Sequence, residues 1–191
     1  MPFSYLMARL LKGVDLRTVG SRNVGATNLL RIAGVVPAII VAVLDLGKGF
    51  AAVMLAKTFD LWDPVPIFGG LVAVSGHVWP VWLKFQGGKA VLTGAGVFFA
   101  LAWLPSLLAF VSGVALIGLT RYVSLGSIVG AVVLPTSLII LSRMQYIEAS
   151  LGIRILAVVV GLLVIVKHHS NIRRLIGGKE HKIGEKVEVT K

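Results

Sequence analysis

Long apolar stretches separated by short polar segments are the feature that most constrains this chain. The longest of them, residues 90–120, contains no Asp, Glu, Lys or Arg over 31 positions. About 20 apolar residues are enough for a helix to cross a bilayer. Only 14% of the residues are charged, whereas soluble domains carry about 25%. The chain is therefore expected to be an all-α integral membrane protein, and a water-soluble enzyme is excluded.

The apolar pattern predicts seven membrane-spanning segments. The main stretches are residues 35–56, 64–83, 90–120, 123–142 and 155–166. The N-terminal stretch, residues 2–11, contains Arg9, is too short to cross alone and lacks the cleavage site of a signal peptide. It is expected to be the later part of a first helix that is N-terminally incomplete. Residues 90–120 are expected to cross twice, with a break at Pro105.

The distribution of charge supports two crossings by residues 90–120. With two crossings, the loops at residues 12–31, 84–89, 121 and 167–191 lie on one side of the membrane. These loops hold 14 of the 19 Lys and Arg residues, and cytoplasmic loops are enriched in these residues. The loops and the C-terminus are therefore predicted to be cytoplasmic. Much of the net charge of +11 reflects this bias, and no nucleic-acid partner is expected.

A single domain over residues 1–191 is expected, because no linker divides the chain. Residues 177–191 are expected to form a cytoplasmic C-terminal tail, with a short strand or coil at 186–190. The absence of cysteine excludes disulfide scaffolds, thiolate metal sites and cysteine nucleophiles. The tryptophans lie near segment ends, which is typical of the membrane interface; they are Trp62, Trp79, Trp82 and Trp103.

The first polar run, residues 20–31, combines glycines with hydroxyl, amide and guanidinium side chains. Glycines allow a backbone to approach a ligand closely, and Arg22 and Arg31 can hold a phosphate through paired hydrogen bonds. The alternative is an interfacial turn whose arginines contact lipid headgroups.

Two further polar runs lie on the same predicted side. Residues 85–89 place Gly87, Gly88 and Lys89 before a helix, as in a phosphate-binding loop. Their spacing is not that of a P-loop, and a tight turn is the alternative. Residues 167–174 include His168 and Asn171, and the alternative there is a basic cluster that ends a membrane segment.

Three polar side chains fall inside the apolar stretches. Asp45 and Lys48 are three positions apart, so a helix brings them together as a potential ion pair. Charges at such a depth usually line the protein interior or a substrate path. His77 is interpreted as a buried, hydrogen-bonded histidine, with a direct functional role as the alternative.

The residues by themselves indicate a polytopic membrane protein whose cytoplasmic face binds a small phosphorylated anion. A lipid-linked enzyme and a small-anion transporter both fit this description. The chain lacks the Gly-x-Ser-x-Gly nucleophile motif and any His followed five positions later by Asp. His168 and His169 have no carboxylates nearby at metal-ligand spacing. No metal or other cofactor is therefore expected.

Five groups of motifs follow one another along nearly the whole chain. They are GSRNVGATN at residues 20–28 with Arg31, DLGKG at 45–49, GHVWP and FQGGK at 76–89, RYVSLGS at 121–127 and HHSNIRRL at 168–175. Together they resemble the bacterial acyl-phosphate:glycerol-3-phosphate acyltransferases, the PlsY family. Ala90 stands where that family usually has glycine. The family's first helix begins well before the position of Met1, which implies a late start or a truncated form.

This resemblance implies a seven-helix enzyme of the bacterial inner membrane with its active site at the cytoplasmic face. Such an enzyme transfers a fatty acyl group from acyl phosphate to glycerol 3-phosphate, which gives lysophosphatidate and phosphate. A soluble enzyme that produces the acyl phosphate is an implied partner.

The resemblance also implies roles for particular residues. It implies catalytic roles for Lys89, His168 and Asn171. The substrate-binding residues that it implies are Ser21, Asn23, Thr27, Asn28, Arg31, Gly87, Gly88 and Ser127. An acyl phosphate is already activated, so proximity and charge neutralisation are expected to suffice without a covalent intermediate.

Overall fold

The computed structural model describes residues 1–59 and 64–185, and every regular element within these ranges is helical. Trp62 and the strand or coil predicted at residues 186–190 lie outside them. A 3₁₀ turn spans Val81–Leu83. The α-helices are α1 (Phe3–Lys12), α2 (Ala26–Ala33), α3 (Val35–Lys57), α4 (Pro64–Val78), α5 (Val91–Leu101), α6 (Trp103–Thr120), α7 (Val123–Arg143), α8 (Leu151–Lys167) and α9 (His169–Ile176).

Within the described ranges, four helical segments are long and apolar enough to cross a membrane: α3, α4 with the following 3₁₀ turn, α6 and α7. Helices α8 and α9 form a fifth candidate if they are taken together across a bend of 56°. The outward faces carry apolar side chains such as Val43, Val72 and Val132, which are 64%, 68% and 49% exposed. Lipid is the natural solvent for such a surface. The chain is a multi-pass membrane protein, and the exact number of seven crossings stays a prediction.

The stretch at residues 90–120 is split into two helices, as predicted, but the break lies earlier than Pro105. Helix α5 ends at Leu101, and Ala102 adopts an extended φ of −152° before α6 begins. Pro105 is the third residue of α6, where it needs no backbone donor. A helix continuing from α5 would instead require Pro105 to pair with the carbonyl of Leu101. The proline therefore ends α5 at Leu101, about one helical turn before Pro105 in the chain.

Helix α5 is short because its loop enters the bundle. Its 11 residues cover only about 16 Å at the helical rise of roughly 1.5 Å per residue. A Cβ atom on Gly49, midway along α3, would overlap the carbonyl oxygen of Thr93, near the start of α5. At the far end, the Lys57 ammonium donates to the Ala100 carbonyl at 2.7 Å. The two helices therefore run parallel and end together, while α5 starts level with the middle of α3.

The remaining helices pack closely through small residues. A Cβ atom on Gly113 of α6 would lie 2.9 Å from the carbonyl oxygen of Gly126 on α7, and one on Gly161 of α8 would lie 2.7 Å from the carbonyl oxygen of Ala131. Backbones approach this closely where a Cβ is missing. These antiparallel contacts bring the turns after α6 and α8 to one end of the bundle, and the loop after α4 reaches the same end, where Lys89 contacts Asn171. The cytoplasmic orientation of that end stays a prediction.

The segment that follows α9, at the start of the predicted C-terminal tail, folds back onto the bundle. The backbone N–H of Ile183 donates to the carbonyl of Arg121 at 2.8 Å. The Arg121 guanidinium donates in return to the carbonyl of Ile183 at 2.9 Å. Glu180, between these points and α9, is buried with 8% exposure. Residues 177–185 are thus part of the folded protein, because long-range hydrogen bonds hold them there.

Candidate functional site

A cavity of about 340 Å³ opens at the end of the bundle where the polar loops meet. Its volume falls within the range of ligand sites. It brings together residues from α2, the loop before α5, the start of α7, the junction of α8 and α9, and the returning tail. Its polar lining includes Ser21, Asn23, Thr27, Asn28, Arg31, Lys89, Ser124, Ser127, His168, Asn171 and Glu180. All the predicted site residues except Arg22, Gly87 and Gly88 are in contact with this one cavity.

A chain of hydrogen bonds runs through the polar end of the cavity. The Lys89 ammonium donates to the side-chain oxygen of Asn171. The Asn171 amide donates to Glu180 Oε1 at 2.6 Å, and the Ser124 hydroxyl donates to the same oxygen at 2.8 Å. Glu180 Oε2 accepts from the Arg174 guanidinium at 2.7 Å. The amide of Asn171 is therefore held in one orientation, with its oxygen towards Lys89.

Like its partner Ser124 on α7, Glu180 is a residue of the candidate site that the sequence reasoning did not assign. It lies in the segment read as a tail, and its only signal was its place just after the last family-like motif. Burial opposes the ionisation of Glu180, but hydrogen bonds from Asn171, Ser124 and Arg174 outweigh burial and lower its pKa. Glu180 is thus a buried carboxylate, and it connects α7, α9 and the returning segment at the site.

Lys89 and Arg31 supply positive charge to the cavity. Burial lowers the pKa of Lys89 to about 8, and the nearby positive charges of Arg174 and Arg31 act in the same direction. Burial also lowers the pKa of Arg31, against the opposing effect of Glu180 and Glu185, although a guanidinium stays protonated in proteins. An anion entering the cavity therefore meets two partly desolvated cations. Such cations attract an anion more strongly than exposed ones do.

The first polar run forms the wall of the cavity around a buried asparagine. The Asn28 side chain is 1% exposed, and its oxygen accepts from the backbone N–H of Ser21 at 3.0 Å. Its amide is within 3.3 Å of three backbone carbonyls, those of Leu16, Val19 and Asn23. Although Asn28 lines the cavity, its polar atoms are used within the loop. The structure therefore gives Asn28 the role of shaping the loop that presents its neighbours.

The turn at Gly20 depends on the same asparagine. Gly20 has a φ of +59°, and a Cβ atom there would overlap the Asn28 side-chain oxygen. Ser21, Asn23 and Thr27 are then placed along the cavity wall. Ser127 lies on the wall formed by α7, and its hydroxyl donates to the carbonyl of Val123 at 2.9 Å. Its oxygen can still accept a hydrogen bond from a ligand.

His168 lies at the junction of α8 and α9 with 4% exposure. Its Nδ1 is 2.8 Å from the carbonyl oxygen of Val164. A carbonyl can only accept, so Nδ1 carries a proton and donates it. In the neutral imidazole, Nε2 then has a free lone pair. The ring thus offers a hydrogen-bond acceptor or base at the edge of the cavity.

Gly87 and Gly88 do not line the cavity, and their part in substrate binding stays a prediction. The N–H of Gly87 donates to the carbonyl of Val78 at 3.2 Å, and that of Gly88 donates to the carbonyl of His77 at 3.1 Å. A Cβ atom on Gly87 would lie 2.6 Å from the carbonyl oxygen of Val78. These two N–H groups therefore donate to backbone carbonyls at the end of α4. Glycine is needed here because the loop packs tightly against the end of α4.

Asp45 and Lys48 form the ion pair that their spacing predicted. His77 completes the group, with its Nδ1 2.8 Å from the Lys48 ammonium and 3.7 Å from Asp45 Oδ1. His77 is thus hydrogen-bonded and largely buried, in agreement with its interpretation. Asp45 and His77 also line the cavity.

Away from the charges, the cavity continues as an apolar groove between α5, α6, α7 and α8. Small residues line much of it, and larger side chains close its far end. The lining includes Gly94, Ala95, Ala109, Phe110, Gly113, Val114, Gly130, Ala131, Leu134 and Gly161. Phe110 and Val114 are 47% and 51% exposed on the outer surface, so the groove adjoins the lipid. One cavity therefore joins an end that carries cationic side chains to an apolar groove.

Comparison with known proteins agrees with this architecture. The glycerol-3-phosphate acyltransferase family model matches residues 1–178. The chain belongs to this family. The glycerol-3-phosphate acyltransferase of Parasynechococcus marenigrum (strain WH8102) is 47% identical over 97% of this chain and 85% of the relative. That of Desulforamulus reducens (strain ATCC BAA-1160 / DSM 100696 / MI-1) is 45% identical over 97% of this chain and 90% of the relative.

Two solved structures of the family share the fold. The glycerol 3-phosphate form of PlsY (YgiH), an integral membrane glycerol 3-phosphate acyltransferase, has a TM-score of 0.83 and is 38% identical. Its lysophosphatidic acid form has a TM-score of 0.79 and is 34% identical. Each comparison covers 96% of this chain and 90% of the other. The chain is therefore an integral membrane acyltransferase of this family.

Proposed function

We propose that this protein transfers a fatty acyl group from acyl phosphate to glycerol 3-phosphate and releases lysophosphatidate and phosphate. The observation that carries the proposal is the single cavity that joins Lys89 and Arg31 to an apolar groove. Both substrates carry phosphate, and the donor also carries a long alkyl chain. The forms of PlsY with glycerol 3-phosphate and with lysophosphatidic acid support the same substrate class here.

The two cations solve the main electrostatic difficulty of the reaction. Two phosphorylated substrates repel one another, and Lys89 with Arg31 neutralises them inside a partly desolvated site. Asn171, held by Glu180, fixes the direction of the Lys89 ammonium. Ser21, Asn23, Thr27 and Ser127 contribute hydrogen bonds that orient the substrates. These contacts bring the acceptor hydroxyl close to the acyl carbon, which accelerates the reaction by proximity.

The chemical step is an acyl transfer from a mixed anhydride. The acceptor hydroxyl oxygen forms a bond to the acyl carbon, and the bond from that carbon to the phosphate oxygen breaks. The hydroxyl proton passes either to the departing phosphate or to Nε2 of His168, whose Nδ1 proton is held by Val164. Because phosphate is already a good leaving group, no covalent enzyme intermediate is required.

The active site and the C-terminus are assigned to the cytoplasmic side, because the loops at that end of the bundle carry most of the Lys and Arg residues. The protein then receives both water-soluble glycerol 3-phosphate and the product of a soluble acyl-phosphate-forming enzyme from one side. The acyl chain lies in the groove, next to the lipid into which the product is released.

Turnover by the purified protein in lipid tests the proposal. The assay supplies palmitoyl phosphate with radiolabelled glycerol 3-phosphate and separates products by lipid extraction. Label in lysophosphatidate, dependent on acyl phosphate, is expected. Unchanged label accumulating inside sealed vesicles would instead identify an anion transporter. Absence of both product and uptake, from protein whose folding is verified by its thermal transition, would reject both functions.

A further inference from the structure

The proposed mechanism leaves unused a buried polar group directly behind Lys89. Asp45 and Lys48 on α3 and His77 on α4 have side chains that are 3%, 18% and 9% exposed. Burying charged side chains inside an apolar bundle is costly in free energy, so a buried group of charged residues is expected to have a function. It lies against the loop that carries a proposed phosphate ligand.

The ion pair fixes the orientation of the His77 ring. The Lys48 ammonium donates to Asp45 and lies 2.8 Å from His77 Nδ1. An ammonium has no lone pair to accept with, so Nδ1 must be the acceptor. Nε2 therefore carries the proton of the neutral ring. The imidazole is held by α3 in one position and one tautomer.

The other side of His77 holds the loop. Its backbone carbonyl accepts from the N–H of Gly88 at 3.1 Å. A Cβ atom on Gly88 would lie 2.7 Å from the Cε1 atom of the ring. Lys89 is the next residue, and Ala90 then turns the chain into α5 with a φ of +66°. A displacement of the ring is transmitted through Gly88 to the backbone of Lys89.

We propose that Asp45, Lys48 and His77 form a brace that positions Lys89 for phosphate binding. The brace acts through Gly88, and its residues are positioning residues rather than catalytic ones. The inference rests on the proposed function, because it takes Lys89 as a ligand of the substrate phosphate.

A double-mutant cycle between His77 and Lys89 tests the brace. H77F keeps an aromatic ring against Gly88 but removes the acceptor for Lys48. The dissociation constant of glycerol 3-phosphate is measured for wild type, H77F, K89M and H77F/K89M from the ligand-dependent rise in Tm. The Tm of each variant is followed over a range of ligand concentrations and fitted to this mass-action dependence, so no turnover is needed.

The brace predicts a strongly non-additive cycle. H77F is expected to weaken glycerol 3-phosphate binding about fivefold or more in the wild-type background and less than about twofold in the K89M background. H77N, whose side-chain oxygen can take the place of Nδ1 as an acceptor, is expected to recover much of the loss. Equal weakening by H77F in both backgrounds would refute the brace and indicate a general structural role.

Two further results keep the brace and the proposed function separable. If K89M binds glycerol 3-phosphate as tightly as wild type, the phosphate role of Lys89 is wrong and the brace fails with it. If K89M weakens binding but the cycle is additive, only the brace fails. Should H77F not fold, G88A serves in its place, because its methyl group would displace the loop from the ring, and the same non-additivity with K89M is expected.

Discussion

The Lys89 ammonium donates to the side-chain oxygen of Asn171, which lies 82 positions later in the chain. Lys89 ends the loop before α5, and Asn171 lies on α9. Each residue type alone is unremarkable in a membrane protein. Their contact at the mouth of an apolar groove defines where phosphate is expected to bind.

Removing the amide of Asn171 should affect catalysis more than folding. N171L leaves Lys89 without its acceptor and leaves Glu180 without one of its donors. We expect kcat/KM to fall by about 100-fold, the usual effect of losing one preorganised polar contact at an acyl-transfer site. The control is S137A, because that hydroxyl donates only to Leu134 within α7. A loss of similar size in S137A would assign the effect to bundle stability.

The lowered pKa of Lys89 predicts a falling limb in the pH profile. Burial, with the charges of Arg174 and Arg31, places this pKa at about 8. The ammonium is charged below that pH and becomes neutral above it, so phosphate binding weakens as the pH rises. We expect kcat/KM for glycerol 3-phosphate, which reports free-enzyme groups, to fall above about pH 8.

K89R provides the matched test of that assignment. A guanidinium stays protonated to above about pH 12, so the falling limb should move to higher pH even if the maximal rate is lower. A K89R profile that still falls near pH 8 would assign the limb to a different group.

The apolar pattern of the sequence was sufficient to predict the apolar helices and the meeting of the polar loops at one end of the bundle. Both depend on local properties, since each segment must satisfy its own backbone in lipid. The ion pair of Asp45 with Lys48 was predictable for the same reason, from their spacing on one helix. Residues 20–31 and 167–174 were recognisable as site segments because polar groups are rare in such a chain.

The roles of Glu180 and Gly88 were not predictable in this way. Glu180 becomes a site residue only because its segment returns to Arg121, and nothing local specifies that return. Gly88 has the composition of a phosphate loop, yet its N–H donates to His77. The break at Ala102 was partly predictable. Pro105 indicated that the helix is interrupted, but the break lies in the preceding turn, because proline cannot donate to the carbonyl four residues before it.

The returning segment yields a prediction about stability. Glu180 accepts from Asn171, Ser124 and Arg174, and E180A leaves these donors without their common acceptor. We expect the free energy of unfolding to fall by about 1–3 kcal/mol, the cost of unsatisfied buried polar groups. Thermal unfolding in lipid nanodiscs measures this. E185A is the control, because Glu185 is an exposed partner of His181 and its removal should leave Tm nearly unchanged.

The free Nε2 of His168 predicts a change in turnover rather than in binding. H168Q keeps a polar group of similar reach but removes the base. If Nε2 accepts the hydroxyl proton, kcat should fall by about 100-fold or more, while KM for glycerol 3-phosphate changes little. A fall below about tenfold would assign the proton to the departing phosphate. Single-turnover measurements in lipid exclude a change in product release as the cause.

The groove predicts a dependence on acyl-chain length. On α7 the whole cavity extends from Ser124, at its polar end, to Leu134 in the groove, which is about 15 Å at roughly 1.5 Å per residue. An extended alkyl chain advances about 1.25 Å per methylene, given C–C bonds near 1.5 Å, so roughly a dozen carbons fit before Leu134.

A131L should shorten this groove without touching its polar end. Ala131 lines the groove with 9% exposure, and the added side chain would occupy the path of a long acyl chain. We expect the ratio of kcat/KM for a 16-carbon over an 8-carbon acyl phosphate to fall about tenfold, since each excluded buried methylene forfeits about 0.8 kcal/mol. V132L adds a methylene to the neighbouring residue on the lipid-facing surface, and it should leave the ratio unchanged. An unchanged ratio in A131L would place the acyl chain outside the groove, because a chain lying elsewhere would not meet the new side chain.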